Sequence, residues 1–213
     1  MDARLQHPFT CLVCGPTQSG KTYFVQKLLE ESEYVISPPP ETILWCYGEY
    51  QQAYTDMMKT IADIQFIEGV PPDIHKYINP SKRNLMVIDD LMTETGNDKQ
   101  ITNLFTKGSH HHNLSVILIL QNLFHQGRES RTISLNSHYL FMFKNPRDVS
   151  QITHLAKQMY PGHNKFLQEV FKDATNEQYG YLLIDLKPNT PEEMRLRTCI
   201  LESEIPHVYI RKI

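Results

Sequence analysis

Residues 15–22 of the chain read Gly15-Pro16-Thr17-Gln18-Ser19-Gly20-Lys21-Thr22 and match G-x-x-x-x-G-K-[ST] at every fixed position. The apolar segment before them, residues 9–14, predicts a buried strand. The amphipathic segment after them, residues 21–31, predicts a helix. A strand, a glycine-containing loop and a helix in this order form a phosphate-binding loop, because loop N–H groups and the helix N-terminus attract phosphate oxygens. All eight loop residues are therefore predicted to bind a nucleotide.

Two loop residues have chemical roles beyond shape. Lys21 is predicted to neutralise β- and γ-phosphate oxygens, and the Thr22 hydroxyl is predicted to bind Mg²⁺.

Residues 84–90, Asn-Leu-Met-Val-Ile-Asp-Asp, are predicted to form an apolar strand that ends in two carboxylates. Asp89 is expected to hold Mg²⁺ through its water shell, and Asp90 to act as the general base that orients an attacking water. A helix cap or a surface turn is the alternative reading of both.

The next apolar run, residues 115–120, also ends in a polar side chain, Gln121. If this strand lies beside the acidic strand, Gln121 reaches the γ-phosphate, where it could sense the phosphate or position water. An ordinary polar strand end is the alternative.

The alternation of apolar runs with amphipathic segments predicts an α/β fold with a mainly parallel central sheet and helices on both faces. Helices are expected over residues 21–31, 51–62, 100–106, 149–159 and 165–172. Strands are expected over residues 9–14, 42–47, 64–67, 85–88, 115–120, 138–143, 181–186 and 197–201. The run at 42–47 falls between the phosphate-loop strand and the acidic strand, which favours the additional-strand ATPase class over small-molecule kinases.

Length and composition narrow the function further. The chain has 213 residues, a net charge of −3, and neither a signal-peptide core nor an apolar run long enough for a membrane span, so we expect a single soluble, intracellular domain. Its ATPase core is expected at about residues 9–186, with a C-terminal extension over 187–213. The charge excludes a basic nucleic-acid coat protein, although a local basic patch could still bind nucleic acid.

Other candidate chemistry is weaker. Cys11 and Cys14 form a C-x-x-C inside an apolar run, so burial in a strand is favoured over metal or redox chemistry. Residues 110–112 are three histidines, for which a solvated or nucleotide-adjacent loop is favoured over a metal site. Asn164-Lys165 is not followed by the aspartate of a guanine-binding element, and no Leu-Ser-Gly-Gly-Gln signature is present, which disfavours GTPases and transporter-type ATPases.

A ring ATPase also needs an arginine that enters the neighbouring subunit's site and neutralises charge in the transition state. Arg128, Arg131 and Arg147 all follow the Gln121 strand, and each is a candidate. A surface or ion-pair role is the alternative for each of them.

The phosphate loop, the run Leu-Met-Val-Ile-Asp-Asp at 85–90 and the stretch His-His-Asn-Leu-Ser-Val-Ile at 111–117 through Gln121 together resemble the FtsK/HerA superfamily. Within it the chain is most similar to viral genome-packaging ATPases of the poxvirus and giant-virus type, and to those of Polinton/Maverick elements and adintovirus-like viruses. The resemblance covers residues 9–143. Residues 131–136, Arg-Thr-Ile-Ser-Leu-Asn, resemble a family stretch that carries Arg and Asn, which favours Arg131 as the arginine acting in trans. The chain departs from many members in having Asp90 where they carry Glu.

The resemblance implies a RecA-like, Mg²⁺-dependent ATPase that translocates double-stranded DNA into a capsid. It also implies a homo-oligomeric ring, a pentamer or a hexamer, with a capsid or portal protein as a further partner, at sites of virion assembly in a host cell. The residues alone support nucleotide binding. A DNA-pumping ATPase or helicase outside packaging, and an ATP-gated assembly scaffold with little hydrolysis, are the alternatives.

Overall fold

The computed structural model describes residues 2–89, 91, 99–108, 113–124 and 128–212 of the chain. The strands found in these ranges are β1 (Leu5–Gln6), β2 (Thr10–Cys14), β3 (Ile36–Ser37), β4 (Thr42–Tyr47), β5 (Ile64–Glu68), β6 (Asn84–Asp89), β7 (Leu114–Leu120), β8 (Tyr139–Phe143), β9 (Tyr181–Asp185), β10 (Leu196–Thr198) and β11 (His207–Val208). The α-helices are α1 (Lys21–Glu30), α2 (Ser32–Val35), α3 (Ala53–Thr60), α4 (Lys99–Asn103), α5 (Arg128–Leu135), α6 (Ser150–Met159) and α7 (Asn164–Ala174).

Nine of the strands form one sheet, in the order β11-β10-β9-β8-β2-β7-β6-β4-β5. From β8 to β5 every neighbouring pair is parallel, whereas β9, β10 and β11 are added antiparallel. The sheet is thus mainly parallel, as predicted. Because parallel strands end at the same edge, the residues that follow β2, β6 and β7 converge there.

The additional strand is not the one that the sequence suggested. β7 lies between β2 and β6, paired in parallel with both, and β4 lies on the far side of β6. The order of strands along the chain did not predict their order in the sheet, because a crossover connection lets a later strand enter the sheet between two earlier ones.

The central strands are buried on both faces, which explains their continuous apolar sequences. Successive residues of β2 illustrate this, since Leu12 packs into one core layer and Val13 into the other. The Leu12 layer contains side chains of α4 to α7: Ile101, Ile133, Ile152, Leu155, Leu167 and Val170. The Val13 layer contains side chains of α1 and α3: Phe24, Val25, Leu28, Tyr54 and Met57. Helices therefore cover both faces, as predicted.

Element ends differ from the predictions by a few residues. The helix expected at 100–106 is α4 followed by a π-helical turn over Leu104–Gly108, and the strand expected at 197–201 is the shorter β10. The elements that the sequence did not predict are α2, α5, β1, β3, β11 and the 3₁₀ turns Ile74–Lys76 and Glu192–Met194. Most of them span two to four residues, too few to show a hydrophobic period. No helix in the described ranges is both long and apolar enough to cross a bilayer.

Candidate nucleotide site

The predicted phosphate loop connects β2 to α1 at the edge where the parallel strands end. The Gly15 N–H donates to the Leu120 carbonyl of β7 (3.2 Å), which fixes the start of the loop. Gln18 (φ 65°) and Gly20 (φ 93°) both have left-handed backbone conformations, and Gly20 is the N-cap of α1. The loop therefore leads directly into the N-terminus of α1, the end of a helix that attracts phosphate oxygens.

Gly15 is required by close contacts. A Cβ atom at this position would lie 2.7 Å from the Phe143 Cβ and 2.8 Å from the Ser19 Oγ. The Ser19 Oγ itself is buried and has no hydrogen-bond partner among the described residues. A buried hydroxyl without a partner costs free energy, so its presence inside the loop is consistent with a ligand that accepts its hydrogen bond.

Lys21 is 9% exposed and its Nζ donates to the Pro16 carbonyl (2.8 Å), so the ammonium group lies over the loop that it follows. The Thr22 hydroxyl lies 3.4 Å from a carboxylate oxygen of Asp89, which is 4% exposed at the end of β6. The structure thus brings together the two residues that the sequence assigned to Mg²⁺ from positions 67 residues apart.

Tyr54 on α3 is a member of this cluster that the sequence did not reveal. Its hydroxyl donates to the same Asp89 oxygen (3.4 Å), and the tyrosine is fully buried. Burial, together with the negative charge of Asp89, raises the pKa of Tyr54, so the phenol stays protonated and remains a donor. An isolated tyrosine in an amphipathic helix gives no sequence signal for this role.

A cavity of about 290 Å³ lies between the loop and the ends of β6 and β7. Of the predicted site residues, Thr17, Gln18, Gly20, Lys21, Thr22, Asp89 and Gln121 line it. Gln121 arrives there because β7 pairs with β6 and continues beyond the Asp89 partner, Ile119. Tyr23 and Gln51 also line the cavity and were not predicted.

Asp90, the predicted general base, lies outside the described residues, as do the histidines at 110–112. Arg131 lies on the exposed side of α5, and it is not among the described residues that line either this cavity or the neighbouring one of about 530 Å³. Arg147 does line that second cavity, together with Pro16, Thr17, Gln121 and Asn122.

The buried side chain of Gln151 holds the segment that follows Gln121 in place by hydrogen bonds. Gln151 of α6, 5% exposed, accepts from the Leu123 N–H (2.9 Å) and donates to the Asp148 carboxylate (3.0 Å). The chain just after Gln121 is thereby tied to the start of α6.

The C-x-x-C pair does not form a site. Cys11 and Cys14 pack into opposite layers of the core, and burial raises the pKa of Cys14 to about 12 and that of Cys11 well above its ordinary value. Protonated thiols on opposite faces of a sheet suit neither a shared metal nor a redox pair.

The donor set at the loop fits a magnesium nucleotide. A hydroxyl and a carboxylate side by side are hard oxygen ligands, and Mg²⁺ is typically held by one or two such groups together with phosphates and water. Thr22 and Asp89 would hold the ion, and the loop N–H groups with Lys21 would hold the phosphates.

No protein-family model matches the chain, and a search of curated proteins gave no match. Solved structures do match. The DNA-packaging ATPase B204 from Sulfolobus turreted icosahedral virus superposes with a TM-score of 0.55 at 12% identity, over 97% of this chain and 100% of that one.

The genome-packaging NTPase B204 from Sulfolobus turreted icosahedral virus 2 matches in its sulfate complex with a TM-score of 0.52, at 12% identity over 97% and 98% of the two chains. Its ATP-γS complex matches with a TM-score of 0.51, at 12% identity over 96% and 98%. The chain has a RecA-like P-loop NTPase fold. The resemblance to packaging ATPases that the motifs indicated is thus confirmed at the level of the fold.

Proposed function

We propose that this protein is a Mg²⁺-dependent ATPase that translocates double-stranded DNA, packaging a viral genome into a capsid. The observation that carries the nucleotide part is that Lys21 and Thr22, which follow the phosphate loop, line one cavity with Asp89 at the end of β6, with the Thr22 and Asp89 oxygens 3.4 Å apart. The packaging part is supported by the motif resemblance and by the nearly full-length structural similarity to B204.

In this proposal the loop N–H groups bind the β-phosphate and Lys21 neutralises the β- and γ-oxygens. Thr22 and Asp89 hold the magnesium ion, which when bound neutralises charge on the phosphates. Tyr54 donates a hydrogen bond to Asp89 and keeps its carboxylate pointed at the site. Gln121 reaches the γ-phosphate end of the cavity, where it positions water for Asp90.

The remaining charge is supplied by a neighbouring subunit. The exposed position of Arg131 on α5 leaves its guanidinium accessible to a second copy of the chain, and we propose that it acts in trans in a ring of five or six subunits. Arg128 and Arg147 are the alternatives. We propose that residues 1–213 form one ATPase unit, which works with a capsid or portal protein at virion assembly sites in the host cell.

Steady-state ATP hydrolysis by Lys21→Ala tests the nucleotide site. We expect turnover below about 1% of wild type, because the phosphate-neutralising charge is lost. Lys27→Ala is the matched control: it is the same residue type in the same helix, it is partly exposed and paired with Glu30, and activity is expected near wild type. Undiminished hydrolysis by Lys21→Ala would refute the site assignment.

The motor is tested by hydrolysis with and without duplex DNA, together with the mass in solution in the presence of a non-hydrolysable ATP analogue. A packaging motor should form a ring and show DNA-stimulated turnover without strand separation. Strand separation would favour a helicase. Nucleotide-dependent assembly with negligible turnover would favour a scaffold.

A further inference from the structure

The residues of the proposed nucleotide site are arranged in a defined order across the sheet. What we infer from this order rests on the proposed function. The residues assigned to the γ-phosphate and Mg²⁺, Gln121 and Asp89, follow β7 and end β6, on one side of the phosphate-loop strand β2. β8 and β9 lie on the opposite side of β2. A nucleotide with its terminal phosphate beside β7 and its other phosphates in the loop can therefore extend its nucleoside toward β8 and β9.

A tyrosine is found on that opposite side. β9 runs antiparallel to β8 with Tyr181 opposite Phe143, so the chain just before β9 returns to the edge that carries the phosphate loop. There the ring of Tyr179 lies against Gly20. A Cβ atom on Gly20 would lie 2.8 Å from the Tyr179 Cδ1 and 3.3 Å from its Cγ. The tyrosine is nevertheless 57% exposed, so much of its ring faces solvent beside the loop.

The turn that presents this ring is tightly braced. A Cβ atom on Gly180 would lie 2.7 Å from the Ala174 carbonyl oxygen, and the Gly180 N–H donates to the Glu177 carbonyl (3.1 Å). Thr175, 1% exposed, donates its hydroxyl to the Phe171 carbonyl of α7 (2.7 Å). The turn is therefore fastened to the end of α7.

Tyr179 itself has a left-handed backbone conformation, with φ at 63°. A bulky aromatic residue rarely adopts this conformation, and such strained residues cluster at ligand sites. An asparagine or glycine would fit the turn at lower cost, so the turn alone does not account for an aromatic side chain here.

We propose that Tyr179 is the platform on which the base of the bound nucleotide stacks. Every nucleobase has a π-face, and an aromatic ring held beside a phosphate site binds it by stacking. The loop would thus bind the phosphates on one side of Gly20, and Tyr179 would bind the base on the other. Stacking reads no hydrogen-bond pattern, so this ring by itself does not distinguish adenine from guanine.

The test compares two ligands by equilibrium titration of the full chain: Mg·ATP, and Mg·tripolyphosphate, which has the phosphates without the nucleoside. We expect Tyr179→Ala to weaken ATP binding about tenfold, equivalent to about 1.4 kcal/mol, and to leave tripolyphosphate binding unchanged. Tyr179→Phe keeps the ring and should bind both ligands as wild type does. Tyr34→Ala, which removes an exposed tyrosine on α2, is the matched control and should change neither.

Tyr179→Gly relieves the left-handed backbone, and it should lose ATP affinity as Tyr179→Ala does. Unchanged ATP binding in both variants would overturn the proposal, as would an equal loss of ATP and tripolyphosphate, which would make Tyr179 a support of the loop. Lys21→Ala reports on the proposed function separately: it should weaken both ligands, and if it weakens neither, the phosphate site itself is wrong.

Discussion

Charged side chains lie in different places in the two parts of the sheet, the parallel half (β8, β2, β7, β6, β4 and β5) and the antiparallel flank (β9, β10 and β11). In the parallel half, Lys21 and Asp89 lie at the strand ends, around a cavity that can admit a ligand. In the flank, Asp185 of β9 and Arg197 of β10 form a buried ion pair at 3.4 Å, with both side chains 6% exposed. The first arrangement is suited to binding and the second to holding strands together.

This comparison predicts that substitutions in the two regions separate activity from stability. The largest effect on activity is expected for Asp89→Asn, which keeps the shape and a hydrogen-bonding oxygen but removes the charge assigned to Mg²⁺. We expect ATP turnover to fall at least about 100-fold while the urea midpoint of unfolding changes little. The measurement is hydrolysis and unfolding on the same preparation. Activity within a few-fold of wild type would show that this carboxylate is not part of the site.

In the flank the opposite result is expected. Asp185→Asn leaves the Arg197 guanidinium buried without its counter-charge, and should reduce the free energy of unfolding by about 3 kcal/mol, as measured by urea denaturation. ATP affinity of the folded protein should be unchanged. Asp56→Asn breaks an exposed pair with Lys59 and serves as the control, with a loss below about 1 kcal/mol. Equal losses in the free energy of unfolding would show that the buried pair stabilises the fold no more than the exposed pair does.

The link behind Gln121 should affect both properties. Gln151→Ala removes the acceptor of the Leu123 N–H, and Leu123 is 3% exposed, so we expect a loss of about 1–3 kcal/mol in stability. Turnover should also fall, because the segment after Gln121 loses its attachment. Gln168→Ala is the control: its side-chain amide donates to the half-buried Thr153 hydroxyl of α6 (3.1 Å), not to a buried backbone group, so the loss should be smaller, about 0.5 kcal/mol. A stable Gln151→Ala variant with normal turnover would contradict this role.

The smallest effect is a pH dependence at the N-terminal segment. The ring nitrogens of His7 contact Ser115 of β7 (2.6 Å) and Asn113 (3.0 Å), and burial holds the pKa of His7 below its ordinary value, with the Arg83 charge acting in the same direction. The unfolded chain therefore binds a proton at His7 more readily than the folded chain does. The stability contributed by neutral His7 is complete above about pH 6.5 and is lost as the pH falls below it.

Comparing urea midpoints at pH 7.5 and 5.5 tests this linkage. His7→Gln should show a smaller decrease than wild type, with a difference below about 1.4 kcal/mol per pH unit. An identical decrease in the two proteins would show that His7 does not contribute.

The site was more predictable from sequence than the strand order. Residues 15–22 are contiguous, and their spacing alone encodes the loop and its helix, while the apolar run before Asp89 encodes a buried strand with a carboxylate at its end. The position of β7 between β2 and β6 depends on which strands pair across the sheet, and local periodicity carries no such information. The same limit hid Tyr54 and Gln151, whose contacts with Asp89 and Leu123 join separate elements.

The contacts described above do not test the roles predicted for Arg131 and Asp90. Arg131 is exposed on α5, a helix that has few apolar residues and gave no periodic signal, and its role in trans depends on a second copy of the chain. The role of Asp90 stays a prediction. In the assembled protein Arg131→Ala should abolish turnover, whereas ATP binding by the isolated chain should be unchanged.

The most direct measurement of the central claim is the Mg²⁺ dependence of ATP binding, followed by titration with and without EDTA in wild type, Thr22→Val and Asp89→Asn. The account predicts that wild type binds Mg·ATP more tightly than free ATP, and that each substitution removes this difference. Thr22→Val removes the hydroxyl oxygen, and Asp89→Asn removes the negative charge of the carboxylate that lies 3.4 Å from it. Wild-type affinity that is indifferent to Mg²⁺, or a Mg²⁺ effect that survives both substitutions, would contradict it.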